Sequence, residues 1–183
     1  MVVFLFICAV CLELVYILLF ILTIKRPGFR FWPPPKAASW QFFLAWFMAS
    51  VVAVFFLFLG LLDYNSAFLP HLLMRLPFAL VIFLAANAIG IWCETVFGFR
   101  STLGLGDKLV TNGPYKYTRN PQYICDSLSI LGFMILVNSW MVWVIGALGI
   151  VLNLLAPLTE EPWLAERFGQ EYLDYQNKVP RFF

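Results

Sequence analysis

Long apolar runs are the feature that most restricts what this chain can fold into. Residues 2–24 and 40–62 each form a run of 23 residues, and Glu13 is the one charged side chain within them. A helix needs about 20 apolar residues to cross a hydrocarbon core of about 30 Å. The whole chain of 183 residues is 62% hydrophobic and only 12% charged. Too few polar residues remain to cover a soluble protein, so the sequence predicts an integral membrane protein.

Five such segments predict an all-α, polytopic membrane protein. Asn138 and Ser139 alone separate the last two, and so short a connection requires an antiparallel hairpin. A carboxyl group at mid-bilayer costs about 2.5 kcal/mol or more, so we expect Glu13 to face the bundle interior or to be protonated. From Thr159 onward charged and aromatic residues alternate, which predicts an amphipathic C-terminal helix on the membrane surface or folded back against the core. The predicted spans are 2–24, 40–62, 77–96, 121–137 and 140–158.

The distribution of basic residues predicts the orientation of the chain in the membrane. Eleven of the twelve lysines and arginines lie in loop 25–39, in loop 97–120 or in the tail that follows the last span, and Arg75 is the exception. Cytoplasmic loops are enriched in Lys and Arg, so these three segments are predicted to be cytoplasmic and the N-terminus to lie outside. No cleavable signal peptide is expected, because the first apolar run is too long and lacks a basic flank.

The segment Gly113–Tyr123, which we call the tyrosine loop, is polar and cationic although it lies between two apolar runs. The pair Gly113 and Pro114 ends any preceding helix, and Pro121 suits the first position of a new one. The pattern therefore predicts an ordered loop at a helix N-terminus, where an anionic or hydrogen-bond-accepting ligand group can bind.

Glu160 and Glu161 follow the predicted hairpin. Because a hairpin returns the chain to the side from which it started, these carboxylates are expected near Tyr123. Together the tyrosine loop and the two glutamates would form a pocket. The alternative is that both glutamates belong to the acidic first turn of the tail helix, with Pro162 just inside its start.

The sequence excludes several kinds of catalytic site. The single histidine, His71, is predicted on the outer side, so neither a histidine-based triad nor a zinc site can form beside the tyrosine loop. Gly104 and Gly106 lack the third glycine and the strand of a dinucleotide fingerprint, and no P-loop occurs. A net charge of +2, carried by scattered basic residues, does not favour nucleic acid. What remains favours group transfer from a cofactor, in which positioning supplies most of the barrier reduction.

Three groups of residues carry a resemblance to a known family. They are Leu109-Val110-Thr111-Asn112-Gly113-Pro114-Tyr115, then Arg119-Asn120-Pro121-Gln122-Tyr123, and then Glu160-Glu161 with Leu164, Phe168-Gly169 and Tyr172. Over residues 100–181 the chain resembles the superfamily of isoprenylcysteine carboxyl methyltransferases and phospholipid N-methyltransferases. These membrane enzymes use S-adenosylmethionine. The apolar runs predict N-terminal transmembrane helices over residues 1–96, and the resemblance implies a catalytic region over residues 97–183.

The resemblance also implies which residues form the site. Tyrosine faces attract a sulfonium cation, and a carboxylate can accept hydrogen bonds from amino or ribose hydroxyl groups. Arg119 and Glu161 are expected as the catalytic pair and, with Asp126, to orient the acceptor or the loop. The alternatives are that Arg119 anchors the loop to lipid headgroups and that Asp126 makes a local structural hydrogen bond. The residues expected to bind the cofactor are Asp107, Lys108, Leu109, Val110, Tyr115, Asn120, Pro121, Gln122, Tyr123 and Glu160.

Two positions depart from the family pattern. Asn120 stands where the family has a histidine, which keeps a hydrogen-bonding side chain and removes a titratable one. Ala156 stands where the isoprenylcysteine enzymes have a substrate-binding arginine, so a prenylcysteine carboxylate is not expected as the acceptor. We expect instead an amphiphilic, lipid-like acceptor with a neutral or amine nucleophile, which reaches the site from the bilayer.

Two other functions remain open at the level of sequence. One is a membrane reductase that uses NADPH, because sterol reductases have a similar C-terminal loop with an Arg-His-Pro-x-Tyr-like sequence. This chain is short for such an enzyme and lacks the histidine. The other is a non-catalytic membrane scaffold or small-solute carrier.

Overall fold

The structure, a computed structural model, describes residues 1–26, 28–67, 69 and 72–183, without the side chains of Leu72 and Met74. His71, which was predicted on the outer side, lies outside the described residues. The described chain is all-α, as predicted, with seven helices and a 3-10 turn at Gly113–Lys116. The helices are α1 (Val2–Lys25), α2 (Trp40–Leu62), α3 (Leu72–Phe97), α4 (Phe99–Thr102), α5 (Pro121–Val137), α6 (Trp140–Phe168) and α7 (Gln170–Lys178).

Four of these helices are long and apolar enough to cross a membrane, namely α1, α2, α6 and the part Arg75–Phe97 of α3. α3 begins before its predicted start, and Pro77 lies inside it. α5 is apolar but has 17 residues, which at 1.5 Å per residue extend about 25 Å. That length is the lower end of what crosses a hydrocarbon core. The chain is a multi-pass integral membrane protein, and the prediction of about five spanning helices is confirmed in outline.

α6 runs past its predicted end and continues to Phe168 with Pro162 inside it. Thr159 and Glu161, within the last turns of α6, are both buried. The free energy gained by this packing outweighs the cost of the backbone hydrogen bond that Pro162 removes from α6. The predicted start of a tail helix near Thr159 is therefore wrong. Glu160 and Glu161 lie in the interior of a helix and do not form an acidic first turn.

The tail helix, α7, begins after Gly169, where the backbone takes the left-handed conformation with a φ of +56°. Glycine adopts this conformation without steric cost, so it can turn the chain sharply between α6 and α7. Tyr172 and Tyr175 are buried on one face of α7. The amphipathic tail therefore folds back against the core, which is one of its two predicted positions.

A polar turn closes the end of the bundle that is far from the tyrosine loop. Asn138, which joins α5 to α6, has a φ of +53° and is fully buried. Its amide nitrogen donates to Asn65 Oδ1 at 3.2 Å and to the Ala67 carbonyl at 3.3 Å. The next residue, Ser139, caps α6 and donates to Asp63 Oδ2 at 2.6 Å. These bonds hold the loop after α2 against the turn, and the predicted antiparallel hairpin of α5 and α6 is confirmed.

The loops at the other end of the bundle pack closely on one another. Gly104 has so little room that a Cβ atom there would lie 2.8 Å from Pro34 Cδ and 3.1 Å from the Trp32 ring. The tail meets the tyrosine loop where Tyr175 Oη donates to the Tyr115 carbonyl at 2.7 Å. Loop 25–39, the tyrosine loop and the tail therefore lie at one end of the bundle, where the sequence places eleven of the twelve lysines and arginines.

α3 and α5 pack so closely that no side chain fits between them at Gly132. A Cβ atom at this position would lie 2.9 Å from the backbone nitrogen of Phe83. Near this contact, Asn87 Nδ2 on α3 donates to Ser129 Oγ on α5 at 2.5 Å. Small residues and hydrogen bonds between polar side chains are the usual means of joining helices in membranes. Asn87 therefore joins α3 to α5 by an interhelical hydrogen bond.

We predict that Gly132→Ala lowers the thermal unfolding temperature of the purified protein in detergent. The added methyl group must push α3 and α5 apart, and overpacking of this kind costs about 1–3 kcal/mol. Gly90→Ala is the matched control, because a Cβ atom there makes an ordinary contact of 3.5 Å with Cys125 Cβ. Equal unfolding temperatures for the two variants would contradict the close approach of these helices.

Candidate active site

A cavity of about 520 Å³ extends from the tyrosine loop into the helix bundle. We call it the central cavity, and its volume is typical of sites for small molecules, which measure roughly 300–1,000 Å³. α6 lines it with Ile145, Gly149, Ala156 and Glu160, which recur on one helical face. From Ile145 to Glu160 this wall is about 22 Å long at 1.5 Å per residue. The cavity therefore joins a polar end beside the loops to an apolar interior.

Glu160 is the carboxylate at the polar end of the central cavity. Its Oε1 accepts a hydrogen bond from Trp32 Nε1 at 2.6 Å and another from Tyr123 Oη at 2.5 Å. Hydrogen bonds to an ionised oxygen are stronger than those to a neutral one, so both donors favour the carboxylate form. Oε2 accepts no hydrogen bond from the part of the chain that the structure describes. Trp32 and Tyr123 therefore fix the carboxylate in place and leave one of its oxygens for a ligand.

Tyr115 forms an aromatic wall of the same end. Its ring stacks on Phe97 with the ring centroids 5.1 Å apart, and its hydroxyl group is buried without a hydrogen-bond partner among the described residues. Burial, with the nearby Glu160 carboxylate as a smaller cause, raises the pKa of this hydroxyl well above its usual range. Burial also raises the pKa of Tyr175 to about 12. Both tyrosines thus stay neutral hydrogen-bond donors at physiological pH.

Arg119 and Glu161 form a buried ion pair with a third partner, Arg181 of the tail. Arg119 Nη2 lies 2.9 Å from Glu161 Oε1, and both side chains are less than a tenth exposed. Arg181 donates to both oxygens of Glu161, at 2.9 and 2.6 Å. The remaining contact of Arg119 joins its Nη1 to the Gln176 carbonyl at 2.8 Å. The cluster fastens the tail to the tyrosine loop, and Arg119 does not extend to lipid headgroups.

Most of the residues that the sequence predicts for the site line the central cavity. Asp107 and Pro121 do not: Asp107 is exposed and pairs with Arg167 at 3.4 Å, and Pro121 is buried at the start of α5. Those that line the cavity are Lys108, Leu109, Val110, Tyr115, Arg119, Asn120, Gln122, Tyr123, Glu160 and Glu161.

Two of these side chains also hold neighbouring segments. Asn120 is mostly buried, and its Nδ2 donates to the carbonyl of Arg181 at 3.1 Å. Gln122 Nε2 donates to Thr102 Oγ1 at 3.1 Å. Asn120 therefore connects the tyrosine loop to the tail, and Gln122 connects α5 to the loop that precedes it.

Asp126 lies one turn inside α5 and also lines the cavity. It makes no hydrogen bond with any described residue, so the structure does not show the local bond that was the alternative for it. Glu94 of α3 lines the same cavity. With Glu160 they make this part of the cavity wall strongly acidic.

Sequence reasoning did not identify three residues of the cavity wall as parts of the site. Trp32 comes from loop 25–39, Glu94 from α3 and Glu13 from α1. The basic loop that holds Trp32 was predicted on the same side as the tyrosine loop, which could have indicated it. Glu13 was predicted to face the interior or to be protonated, and it does face the interior, with 1% of its surface exposed. The cavity wall thus includes residues from the predicted N-terminal helices, 1–96, as well as from the predicted catalytic region, 97–183.

Ala156 also lines the cavity, one turn before Glu160. It is 3% exposed and belongs to a cluster with Phe20 and Phe31. Residue 156 therefore offers no basic side chain that could bind a carboxylate.

A comparison with known families now adds to this geometry. The model of the phospholipid methyltransferase family matches residues 69–171, which is more than half of the chain. The chain belongs to the phospholipid methyltransferase family. The matched part of the chain contains α3 to α6, the tyrosine loop and both glutamates. It does not contain Glu13, Trp32 or Arg181, which contribute to the cavity or to its ion cluster.

Two curated relatives are similar to part of the chain. The cobalt-zinc-cadmium resistance protein CzcN of Cupriavidus metallidurans is 35% identical over 94 residues, which are 51% of this chain and 41% of that protein. The nickel-cobalt-cadmium resistance protein NccN of Alcaligenes xylosoxydans xylosoxydans is 34% identical over 94 residues, 51% of this chain and 42% of that protein. The similarity thus covers less than half the length of each relative. No solved structure matches the chain.

We predict that Glu161→Gln loosens the tail. The change removes the negative charge between two arginines, and breaking a buried ion pair on one side costs about 3 kcal/mol. Backbone amides of Tyr172 and Tyr175 should then exchange with deuterium roughly a hundredfold faster. Glu166→Gln is the control, because Glu166 is exposed on the same helix and has no ion pair with a described residue. Unchanged exchange in Glu161→Gln would show that the cluster does not hold the tail.

Proposed function

We propose that this protein transfers a methyl group from S-adenosylmethionine to a lipid-like acceptor that enters the central cavity from the bilayer. The observation that carries the proposal is Glu160, held by Trp32 and Tyr123 with one oxygen unpaired, at the polar end of a cavity that continues into an apolar interior. Membership of the phospholipid methyltransferase family supports the reaction class.

The residues at the polar end fit a cationic cofactor. The second oxygen of Glu160 can accept hydrogen bonds from amino or ribose hydroxyl groups, and the unpaired hydroxyl of Tyr115 can donate one. Glu94 and Asp126 line the same cavity and add two acidic side chains to it. When bound, the cofactor supplies an electrophilic methyl group on a sulfonium sulfur. The faces of Tyr115 and Tyr123 can stabilise that positive charge by cation–π attraction.

The protein's part in the transfer is to hold the reacting groups and to exclude water. Trp32 and Tyr123 keep the Glu160 carboxylate in one orientation, and the ion cluster of Arg119, Glu161 and Arg181 keeps the tyrosine loop in place. We therefore propose that Arg119 and Glu161 act as positioning residues for the loop. Orientation of two reactants can supply about 7–11 kcal/mol of barrier reduction without an acid or base.

The inner wall of the cavity favours an amphiphilic acceptor. Val52, Phe56 and Ile145 line it, so a charged soluble molecule would lose hydration without compensation. With Ala156 in place of a basic residue, a carboxylate acceptor would find no counter-ion on this wall. An acceptor with a long apolar body and a neutral or amine nucleophile would meet neither obstacle.

We also propose that the polar end of the cavity opens to the cytoplasm. Loop 25–39, loop 97–120 and the tail hold eleven of the twelve lysines and arginines, and they lie at this end of the bundle. The positive-inside rule then places the N-terminus outside. A water-soluble cofactor could enter from the cytoplasm, and the acceptor from the membrane.

The acidic wall argues against NADPH, whose phosphates would need cations. Arg119 and Arg181 are committed to Glu161, and Arg167 pairs with Asp107. Lys108 lines the cavity and forms no ion pair with a described residue. One lysine cannot balance the phosphates of NADPH beside three carboxylates.

Titration of the solubilised protein with S-adenosylhomocysteine and, separately, with NADPH tests the proposed function. We expect the first ligand to bind and the second not to bind. Binding of NADPH alone would support a reductase. If neither ligand binds, a non-catalytic scaffold or carrier becomes the better account.

We predict that Glu160→Gln weakens the binding of S-adenosylhomocysteine by about tenfold to a hundredfold, because a hydrogen bond to a charged group contributes roughly 1.5–3 kcal/mol. Calorimetry on the purified variant measures the affinity. Glu171→Gln is the control, since Glu171 is an exposed carboxylate on α7. Equal affinity of Glu160→Gln and the unaltered protein would remove Glu160 from the cofactor site.

We predict that Trp32→Phe weakens the same binding by roughly threefold to tenfold, because it removes one of the two donors that hold Glu160. In the double variant with Glu160→Gln, the loss should be smaller than the sum of the two single losses. Residues in one hydrogen-bond network are coupled in this way. Strictly additive losses would mean that Trp32 does not act through Glu160.

A further inference from the structure

Glu13 is a polar group in the inner part of the central cavity that the proposed function does not yet use. It lies at the middle of α1, a helix of 24 residues, and is 1% exposed. Its Oε2 is buried and has no hydrogen-bond partner among the described residues. The side chain nevertheless lines the cavity, so it faces a space that a molecule can fill.

An unpaired carboxyl group at this depth is costly. Insertion of an acidic residue at the centre of a membrane helix costs about 2.5–3.5 kcal/mol, and such residues usually mark a site for a substrate or an ion. A leucine or valine at residue 13 would avoid this cost and would extend the apolar run. The retained carboxyl group is therefore expected to have a ligand partner.

α6 leaves room for a ligand beside Glu13. Gly149 has no side chain, and a Cβ atom at residue 149 would already be in van der Waals contact with Glu13 Oε1 at 3.6 Å and with Ile130 Cδ1 at 3.4 Å. A longer side chain at residue 149 would therefore fill the space next to the carboxyl group. The neighbouring wall is apolar, with Ala53, Phe56 and Ile145.

The position of Glu13 along the cavity separates it from the cofactor residues. Gly149 precedes Glu160 by eleven residues on α6, which is three turns or about 16 Å. Glu160, Tyr115 and Tyr123 lie at the polar end, so Glu13 faces the inner end, beyond the groups assigned to the cofactor. Between them α6 lines the cavity with Leu152, Asn153 and Ala156, and the Asn153 side chain is hydrogen-bonded to Ser127, so this stretch suits the body of an acceptor.

We propose that the inner part of the central cavity is the acceptor site and that Glu13 accepts a hydrogen bond from an N–H or O–H group of an aliphatic amine or alcohol. Only the identification of the bound molecule as the methyl acceptor rests on the proposed function. The acceptor thus carries two polar groups: this hydrogen-bond donor at the inner end and, at the other end of an apolar body that lies along α6, the atom that receives the methyl group. A carboxylate is disfavoured at this end, because it would meet the carboxyl group of Glu13 in apolar surroundings.

The reactivity of Glu13 tests whether a membrane-soluble molecule reaches it. Dicyclohexylcarbodiimide is apolar and modifies carboxyl groups in apolar surroundings. In nanodiscs it should modify Glu13, and peptide mapping by mass spectrometry separates this adduct from adducts on Glu94, Asp126 or Glu160. Glu13→Gln must abolish the adduct at residue 13. Absence of that adduct in the unaltered protein would overturn the proposal, because the carboxyl group would not border an accessible chamber.

Protection of Glu13 by chosen probes tests the hydrogen bond. Decylamine and decanol carry donors, whereas decyl methyl ether has a similar chain and none. We expect the two donors to protect Glu13 at concentrations about tenfold lower than the ether, as one hydrogen bond to a carboxyl group implies. Equal protection by all three molecules would overturn the proposed role of Glu13.

A second variant tests the chamber without changing Glu13. Gly149→Leu should fill the space and prevent protection by either donor, whereas Gly149→Ala makes only ordinary contacts and should allow it. Protection that persists in Gly149→Leu would place the probe elsewhere and overturn the proposal. S-adenosylhomocysteine binding is measured on the same samples. If it is absent from every sample, the proposed function is contradicted, whereas the protection data still decide whether Glu13 binds the probe.

Discussion

The hydrogen bonds that Trp32 and Tyr123 donate to Glu160 are the interaction on which the rest of this structure depends. They join three parts of the chain that are far apart in sequence: the loop after α1, the first turn of α5 and the interior of α6. In a low-dielectric environment a carboxylate needs such donors, because an unpaired buried charge is costly. Satisfying one oxygen of Glu160 therefore brings the loops together and leaves the other oxygen facing the cavity.

A second set of charges holds the tail. Glu161 is the next residue after Glu160, yet it points to Arg119 and Arg181, because successive residues of a helix face different directions. The two adjacent glutamates both line the cavity but have different partners: Glu160 accepts from Trp32 and Tyr123, and Glu161 fastens the tail to the tyrosine loop. This division explains why the sequence needs two carboxylates in succession at this point of α6.

Apolar run length and turn residues were sufficient to predict the spanning helices, because an exposed backbone is not tolerated in lipid. The bounds of α2 and α5 agree with the prediction, and the hairpin at Asn138 follows from the short connection. The end of α6 could not be predicted, since Pro162 and the acidic residues indicate a boundary and only tertiary packing overrides it. The sequence indicated only that the loop of Trp32 lies on the side of the tyrosine loop and that Glu13 faces the interior or is protonated. Their contacts could not be predicted, because local patterns do not show which side chains meet across helices.

The central claim is that this cavity transfers a methyl group to a molecule dissolved in the membrane. The most direct measurement supplies S-adenosylmethionine with a radiolabelled methyl group to membranes that contain the protein and then extracts them with organic solvent. The account predicts label in the organic phase, and its loss when Glu160 is replaced by glutamine. Label that stays in the aqueous phase with the unaltered protein, or that reaches the organic phase equally with the Glu160→Gln variant, would contradict the account.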